Sequence, residues 1–226
     1  MLAEVDQDGF LFATDVIDVP FFDRRTAKAP RHRSRIEVVL RGSAVLLRKQ
    51  HLAPARYPVR ERVRRGLGLD FYTEVVALAR LQGLPCVPQL REFQPRSHTL
   101  FTDFIWGENL RHRLAATTHP VFNVDIDADP ILSRLTDDER VHREFMLWSV
   151  LPEAAAWRAA LGETMAAIHQ RGVAHRDLHL ANVMVGALTG LPYWVDFEAA
   201  HLRVGAGWPQ MVAEDCLRFR NTFGLQ

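Results

Sequence analysis

The sequence predicts an α+β fold with two lobes: a strand-rich N-terminal lobe over residues 1–106 and a reduced, helical C-terminal lobe over residues 107–226. The first lobe contains short apolar stretches that alternate with polar residues, which is typical of strands. The second contains a long segment, residues 153–171, whose apolar residues recur at helical spacing. A chain of 226 residues suffices for two small lobes, and 48% hydrophobic with 24% charged residues is typical of a globular protein.

The N-terminal lobe is predicted to combine a sheet with one main helix. A hairpin is expected within residues 35–49, with a tight turn at Arg41 and Gly42, because glycine supplies the positive φ that such turns require. A helix is expected from Asp70, which caps it, to Gly83, which ends it. Further strands are expected within residues 9–19, 85–93 and 98–107.

The C-terminal lobe is predicted to begin with a helix at Glu108. Residues 115–143 are polar and broken by prolines, which indicates an insertion. The long helix over residues 153–171 then leads into a hairpin that carries the most distinctive sequence of the chain.

The composition argues against several classes of protein. A formal net charge of +1 gives no global attraction to nucleic acid or to a membrane. The two cysteines have no metal-ligand or disulfide spacing, the N-terminus lacks the pattern of a signal peptide, and no stretch approaches the ~18 apolar residues of a membrane span. These features predict a cytoplasmic protein without a transmembrane segment.

Two local charge runs stand out against this neutral background. The acidic run at residues 125–129 resembles the start of a calcium loop but lacks the later glycine and glutamate that such a loop needs. The basic run over residues 56–65 is either a solvated face or a contact for an anionic partner or membrane surface, which would make the protein peripheral to a membrane. Its arginines are Arg56, Arg60, Arg62, Arg64 and Arg65.

The hairpin sequence "HRDLHLANVMV", residues 175–185, carries residue types that suit a magnesium–phosphate site. Asp177 is followed by Asn182 five positions later, and Asp196 comes after a second apolar strand. Mg²⁺ prefers hard oxygen ligands and takes few protein carboxylates, so Asn182 and Asp196 are its candidate ligands. Asp177 is the candidate for orienting or deprotonating an attacking hydroxyl. The spacing predicts catalysis by Asp177, Asn182 and Asp196, with ATP and Mg²⁺ as cofactors.

The pattern H-R-D-x-x-x-x-N followed by D-F resembles the protein-kinase-like superfamily. "DLHxxN" and "DFE" are similar to the small-molecule kinases of the aminoglycoside and choline type. The order of segments along most of the chain resembles compact, atypical branches. These are the lipopolysaccharide (Kdo-type) sugar kinases, the RIO-like kinases and the small kinase of the tRNA threonylcarbamoyl-modification complex. The resemblance implies a two-lobed kinase fold and transfer of the ATP γ-phosphate to a hydroxyl.

The resemblance also implies a nucleotide-binding set in the first lobe. Lys49, at the end of a strand, would bind the α- and β-phosphates, and Glu74 would pair with it. Leu47 lies on the same strand face as Lys49. Arg48 is the alternative cation, and a solvated helix acid is the alternative for Glu74. Backbone groups of a hinge would face adenine at Asp103, Phe104 and Ile105.

Near the end of the chain, the resemblance implies that Glu214 and Asp215 open the last helix. Asp215 would brace the catalytic loop by accepting hydrogen bonds from backbone N–H groups.

The chain also departs from a conventional protein kinase. No glycine-rich loop is found; residues 23–35 stand there, either as a cover for the phosphates or as a solvated loop. Glu198 replaces the usual glycine, and only 30 residues (226 − 196) follow Asp196, with no Ser, Thr or Tyr over residues 197–221. Switching by phosphorylation of that stretch is therefore not expected.

The departures favour an ATP-dependent kinase that acts on a lipopolysaccharide-type sugar or another non-peptide acceptor. Two alternatives stay open. One is a compact atypical serine/threonine protein kinase or ATPase that acts in a complex. The other is a nucleotide-binding pseudokinase.

Overall fold

The structure is a computed structural model that describes residues 34–52, 67–110 and 151–224, with short pieces at 3–5, 11–13, 63, 113 and 148. The insertion 115–143 lies outside the described residues, as do the loop 23–35 except for residues 34 and 35 and the basic run 56–65 except for residue 63. No helix within the described ranges has the length and apolar character needed to cross a membrane.

The described residues mix strands and helices, which confirms the predicted α+β class. The helices are α1 (Leu69–Arg80), α2 (Ala154–Gln170) and α3 (Trp208–Phe223). The first strands are β1 (Ala3–Val5), β2 (Leu11–Ala13), β3 (Ser34–Arg41), β4 (Ala44–His51), β5 (Leu90–Gln94) and β6 (Thr99–Asp103). The later strands are β7 (Gly107–Asn109), β8 (Val173–Ala174), β9 (Val183–Gly186), β10 (Pro192–Trp194) and β11 (His201–Leu202).

The chain divides into two compact units. The first unit comprises Met1–Gly83, Pro88–Ile105 and Phe197–Ala199. The second unit comprises Leu84–Val87, Trp106–Asp196 and Ala200–Gln226. The chain therefore changes unit immediately after Asp196. The lobe boundary at residue 106 stays a prediction.

The first unit is built on an antiparallel sheet with the strand order β1-β2-β3-β4-β6-β5 among its described strands. The predicted hairpin is confirmed: β3 and β4 pair from Ser34 opposite His51 to Arg41 opposite Ala44. Gly42 turns the chain at φ 59°, a conformation that residues with a Cβ adopt at a cost. Val39, Leu46 and Phe101 form a buried cluster on one face of this sheet.

Helix α1 packs its apolar face into the first unit. Phe71, Val75 and Leu78 recur at helical spacing and are buried. The predicted cap is wrong: Gly68 occupies the N-cap at φ 70°, and Asp70 lies buried in the first turn. The helix ends at Arg80, earlier than predicted, and the turn beyond it contains Gly83 at φ 78°.

The prediction of a helix that begins at Glu108, in the second unit, is wrong. Residues Gly107–Asn109 form strand β7, which pairs antiparallel with β9, and the described helical conformation begins at Leu110. Glycine is needed at 107, because a Cβ there would stand 2.0 Å from the carbonyl oxygen of Val185. The close approach of two strands thus overrides the helical propensity of the following sequence.

Helices α2 and α3 supply the core of the second unit. The predicted long helix is confirmed as α2. The prediction for the last helix is wrong in its start, because α3 begins at Trp208 and places Glu214 and Asp215 in its middle. The rings of Trp194 and Phe223 lie 5.5 Å apart, edge to face, which fixes α3 against strand β10.

Candidate active site

The hairpin of β9 and β10 brings Asn182 close to Asp196 in the chain fold. Trp194 pairs with Val183, and at the open end of the hairpin the Val195 N–H donates to the Asn182 carbonyl oxygen at 3.0 Å. Asp196 therefore follows directly after Val195, whose backbone is hydrogen-bonded to that of Asn182. Its backbone is left-handed at φ 63°, an uncommon conformation for a residue with a side chain. Such conformations often occur at functional sites.

The Asn182 side chain is fixed by Asp177. Its Nδ2 donates to the carbonyl oxygen of Asp177 at 2.9 Å and to Asp177 Oδ2 at 3.1 Å. The amide is buried, with 6% of the residue exposed. Because both bonds use the nitrogen, the amide oxygen is the atom that Asn182 could offer to a metal.

Asp215 braces the loop that carries Asp177, as predicted. Its carboxylate accepts hydrogen bonds from the backbone N–H of His175 at 2.7 Å and of Arg176 at 2.9 Å. His169 Nε2 lies 3.1 Å from the same carboxylate. Burial acts to raise the pKa of Asp215, but the hydrogen bonds from His169 and the two N–H groups outweigh it and lower that pKa. An ionised, fully buried carboxylate therefore holds the backbone of the loop.

His175 links the loop that carries Asp177 to Val195, the residue before Asp196. Its Nε2 lies 3.0 Å from the Val195 carbonyl oxygen, and the Asp177 N–H donates to its Nδ1 at 3.4 Å. These partners suit a neutral ring with the proton on Nε2. Burial is the main cause that lowers the pKa of His175, which agrees with a neutral ring. His175 thus positions the loop by hydrogen bonding, as the sequence suggested.

Asp177 is half exposed and carries an ionised carboxylate. His179 Nε2 stands 3.4 Å from Asp177 Oδ2. The hydrogen bond from His179 is the largest cause that lowers the pKa of Asp177 to about 2, against a smaller effect of burial. A carboxylate of such low basicity is better suited to orient a hydroxyl than to remove its proton. The partnership with His179 was not predicted, although the histidine itself marks a departure from the lysine of serine/threonine protein kinases.

Lys49 and Glu74 form a buried ion pair in the first unit. Lys49 Nζ lies 2.8 Å from Glu74 Oε2, and both side chains are at most 7% exposed. The alternative cation, Arg48, points to the opposite strand face and pairs with Glu37 at 3.4 Å. Glu74 is therefore no solvated helix acid, and Lys49 is the lysine that α1 holds in place.

The carboxylate of Glu74 is ionised although it is buried, because its neighbours lower its pKa. Burial is the largest single influence and acts to raise the pKa of Glu74. The Lys49 ammonium and the His51 ring together outweigh burial and lower the pKa to about 2. Glu74 therefore stays ionised at every physiological pH.

We expect the protein to lose stability in acid, because Glu74 becomes protonated there. Its pKa is lowered from 4.5 to about 2, so the ionised carboxylate stabilises the folded state above pH 4.5, and this contribution is lost as the pH falls towards 2. The shift corresponds to on the order of 3 kcal/mol. Free energies of unfolding of the parent and the Glu74→Gln variant should differ at pH 7 and converge near pH 2. Glu92→Gln, at a partly exposed carboxylate, is the control, and a difference that is independent of pH would contradict this prediction.

The structure adds two residues that sequence reasoning missed around Lys49. His51 Nε2 lies 2.8 Å from Glu74 Oε2, and Glu198 Oε2 lies 3.7 Å from Lys49 Nζ. A partial signal was present for His51, since it stands two positions after Lys49 and therefore on the same strand face. Glu198 is distant in sequence, and no local pattern connects it to strand β4.

The proposed hinge residues lie at the end of strand β6, where Asp103 is the last strand residue, and immediately after it. Arg91 holds the Asp103 carboxylate at 2.5 and 2.8 Å, so this side chain is engaged on the sheet. The backbone N–H of Phe104 donates to the Val45 carbonyl oxygen at 3.4 Å. Leu47 is half-buried on β4, opposite Thr102 on β6. The roles of Leu47, Asp103, Phe104 and Ile105 in nucleotide binding stay predictions.

Among the comparisons with known proteins, a match to a solved structure bears on the fold. No family model matches the chain. The chain is 33% identical over 170 residues to a probable SapB synthase of Streptomyces coelicolor; the match covers 71% of this chain but only 16% of that protein. The solved Rio2 kinase of Chaetomium thermophilum, in an ADP/Mg²⁺-phosphoaspartate complex, matches with a TM-score of 0.52 at 15% identity, over 84% of this chain and 52% of that one. The chain therefore has a protein-kinase-like fold, as predicted.

Proposed function

We propose that the chain is a kinase that transfers the γ-phosphate of ATP to a hydroxyl group, with Mg²⁺ as cofactor. The observation that carries the proposal is the arrangement at the open end of the β9–β10 hairpin. There Asn182 is locked to Asp177, and Asp196 follows the direct backbone partner of Asn182. Fixed oxygen ligands and a fixed hydroxyl-orienting carboxylate are what positional catalysis of phosphoryl transfer requires.

The donor set fits magnesium. Asp196 offers a carboxylate and Asn182 an amide oxygen, both hard ligands, and Mg²⁺ commonly takes one or two carboxylates together with phosphate oxygens. When bound, the ion supplies positive charge against the phosphates. Asn182 cannot turn away easily, since two hydrogen bonds to Asp177 hold its nitrogen.

The chain's own residues would divide the remaining work. Lys49, held by Glu74, would bind the α- and β-phosphates. Asp177 would orient the acceptor hydroxyl, whose oxygen forms the new P–O bond while the bond from the γ-phosphorus to the bridging oxygen of ADP breaks. The hydroxyl proton passes to water as the new bond forms. His175 and Asp215 keep the loop in place without touching the reactants.

The acceptor we favour is a lipopolysaccharide-type sugar or another non-peptide hydroxyl compound. The support is the sequence pattern "DLHLAN" with "DFE", which is similar to that of small-molecule kinases. Purified protein, labelled ATP and Mg²⁺ should be tested against panels of sugars, glycolipids and proteins. Label in a small sugar or glycolipid supports this acceptor class, whereas label in an added protein contradicts it.

A compact protein kinase or ATPase acting in a complex is the second candidate. The likeness to a Rio2 kinase favours it, because that protein was solved as a complex with ADP, Mg²⁺ and phosphoaspartate. In the same assay, a hydroxylamine-sensitive label on the chain itself would identify an acyl phosphate and support this candidate. Nucleotide binding without any turnover would instead indicate a pseudokinase.

Lys49 provides a direct test of the nucleotide site. Lys49→Met is expected to lower kcat/KM for ATP by on the order of 10²-fold, because it removes a cation aimed at the phosphates. Arg48→Met, the neighbouring cation on the other strand face, is the matched control and should stay within about twofold of the parent. Steady-state kinetics with varied ATP measure both. A larger loss of kcat/KM in Arg48→Met than in Lys49→Met would assign phosphate binding to Arg48.

A further inference from the structure

Among the described residues of the first unit, Lys49 belongs to a cluster of four polar side chains, of which those of Lys49, His51 and Glu74 are buried. Besides Glu74, it faces Glu198 at 3.7 Å, and His51 lies between the two carboxylates. The side chains of Lys49, His51 and Glu74 are at most 7% exposed, and that of Glu198 is 13% exposed. One lysine cation is therefore shared by two carboxylates in a place where water screens poorly.

The two carboxylates are not equivalent. Glu74 Oε2 lies 2.8 Å from Lys49 Nζ and 2.8 Å from His51 Nε2. Glu198 Oε2 stands 3.7 Å from the same Nζ and 3.8 Å from His51 Nδ1, which is beyond hydrogen-bond distance. Of the two, Glu74 makes short contacts with both Lys49 and His51, whereas Glu198 stands farther from each of them.

Glu198 lies in the short segment of the first unit that follows Asp196. Phe197 is fully buried and fixes the segment Phe197–Ala199 in the first unit, whereas Ala199 is exposed. Where a glycine stood in place of Glu198, Lys49 would have no second carboxylate.

We propose that Glu198 is a displaceable partner of Lys49, whose place at the ammonium group is taken by a phosphate of the bound nucleotide. Glu74 and His51 stay in place and keep Lys49 aimed, so Glu198 is a positioning residue that lowers nucleotide affinity. This inference rests on the proposed role of Lys49 in binding ATP phosphates. Glu198 would therefore compete with the nucleotide phosphates for Lys49. In the free protein the Glu198 carboxylate helps to neutralise Lys49, and only a ligand with enough negative charge replaces it.

The test compares charged and uncharged ligands. In isothermal titration calorimetry with Mg²⁺, Glu198→Gln should bind ADP about tenfold more tightly than the parent, since the competing charge is gone. Adenosine, which has no phosphate, should bind both proteins equally. Glu92→Gln removes a partly exposed carboxylate of the same unit and should change neither affinity by more than about twofold. Glu198→Ala repeats the test with a shorter side chain.

The outcomes separate this inference from the proposed function. If the parent binds ADP and the Glu198 variants bind it no better, the displacement is refuted while the kinase proposal stands. Weaker ADP binding by the variants would also refute it, because Glu198 would then assist the phosphates or the metal ion. If neither parent nor variants bind ADP, the proposed nucleotide site itself fails. An equal gain for ADP and adenosine would show a general change in packing and refute charge competition.

Discussion

Asp196→Asn is expected to abolish phosphoryl transfer and to weaken binding of ADP that depends on Mg²⁺. The substitution removes the one charged ligand of the proposed magnesium pair and leaves Asn182 as a neutral partner. An amide oxygen keeps a similar shape but no negative charge, so little of the metal's affinity should remain. The expected fall in kcat is below the detection limit of a labelled-ATP assay.

Asparagine is the informative replacement because of the backbone at this position. Asp196 has φ 63°, and asparagine tolerates the left-handed region better than most residues. Asp196→Ala would combine the loss of the carboxylate with backbone strain. Asp196→Gly relaxes the strain and still lacks the carboxylate, so it should be equally inactive while keeping its thermal stability.

Calorimetric titration with ADP, with and without Mg²⁺, measures the effect on binding. The parent should bind ADP more tightly when Mg²⁺ is added, whereas Asp196→Asn and Asp196→Gly should bind it with the same affinity in both conditions. Near-normal turnover of Asp196→Asn with Mg²⁺ would show that the carboxylate is not the metal ligand.

Local patterns were sufficient to predict much of the candidate site in the second unit. Asp177 and Asn182 are five positions apart, and the apolar strands that follow Asn182 and precede Asp196 form a hairpin. The contacts among these residues depend on short separations and on strand pairing, which a sequence displays directly. The bracing by Asp215 also followed from the resemblance, although Asp215 lies in the middle of α3 instead of at its start.

Contacts between distant segments could not be predicted in this way. Glu198 meets Lys49 and His51 only because the chain returns to the first unit after Asp196. The helix expected at Glu108 failed for a related reason: β7 is a strand because β9 lies beside it, and strand pairing with a remote segment outweighs local propensity. At Asp70, the glycine two positions earlier provided the helix start instead.

Asp177→Asn is expected to lower kcat by on the order of 10²–10⁴-fold, the range for a positioned group that acts on the transferred proton or its hydroxyl. The affinity for ADP should stay within about twofold, because Asp177 faces the acceptor and makes no contact with the nucleotide in the proposed arrangement. The loop should keep its fold, since Asp215 holds the N–H groups of His175 and Arg176.

The low basicity of Asp177 sharpens what this loss would mean. With a pKa of about 2, set first by the hydrogen bond from His179, the carboxylate binds a proton poorly and acts mainly by accepting the hydroxyl's hydrogen bond. Asparagine can still accept a hydrogen bond through its oxygen, but without the charge that strengthens it. Asp177→Ala removes the acceptor as well and should therefore be slower than Asp177→Asn.

Steady-state kinetics at saturating ATP, together with calorimetric ADP binding, separate chemistry from nucleotide affinity. Glu153→Gln, which removes an exposed carboxylate at the start of α2 in the same unit, is the control and should leave kcat within about twofold. An unchanged kcat in Asp177→Asn would contradict the orienting role. Equal losses of kcat and of ADP affinity would instead assign Asp177 to nucleotide binding, either directly or through Asn182, whose Nδ2 donates to its carboxylate.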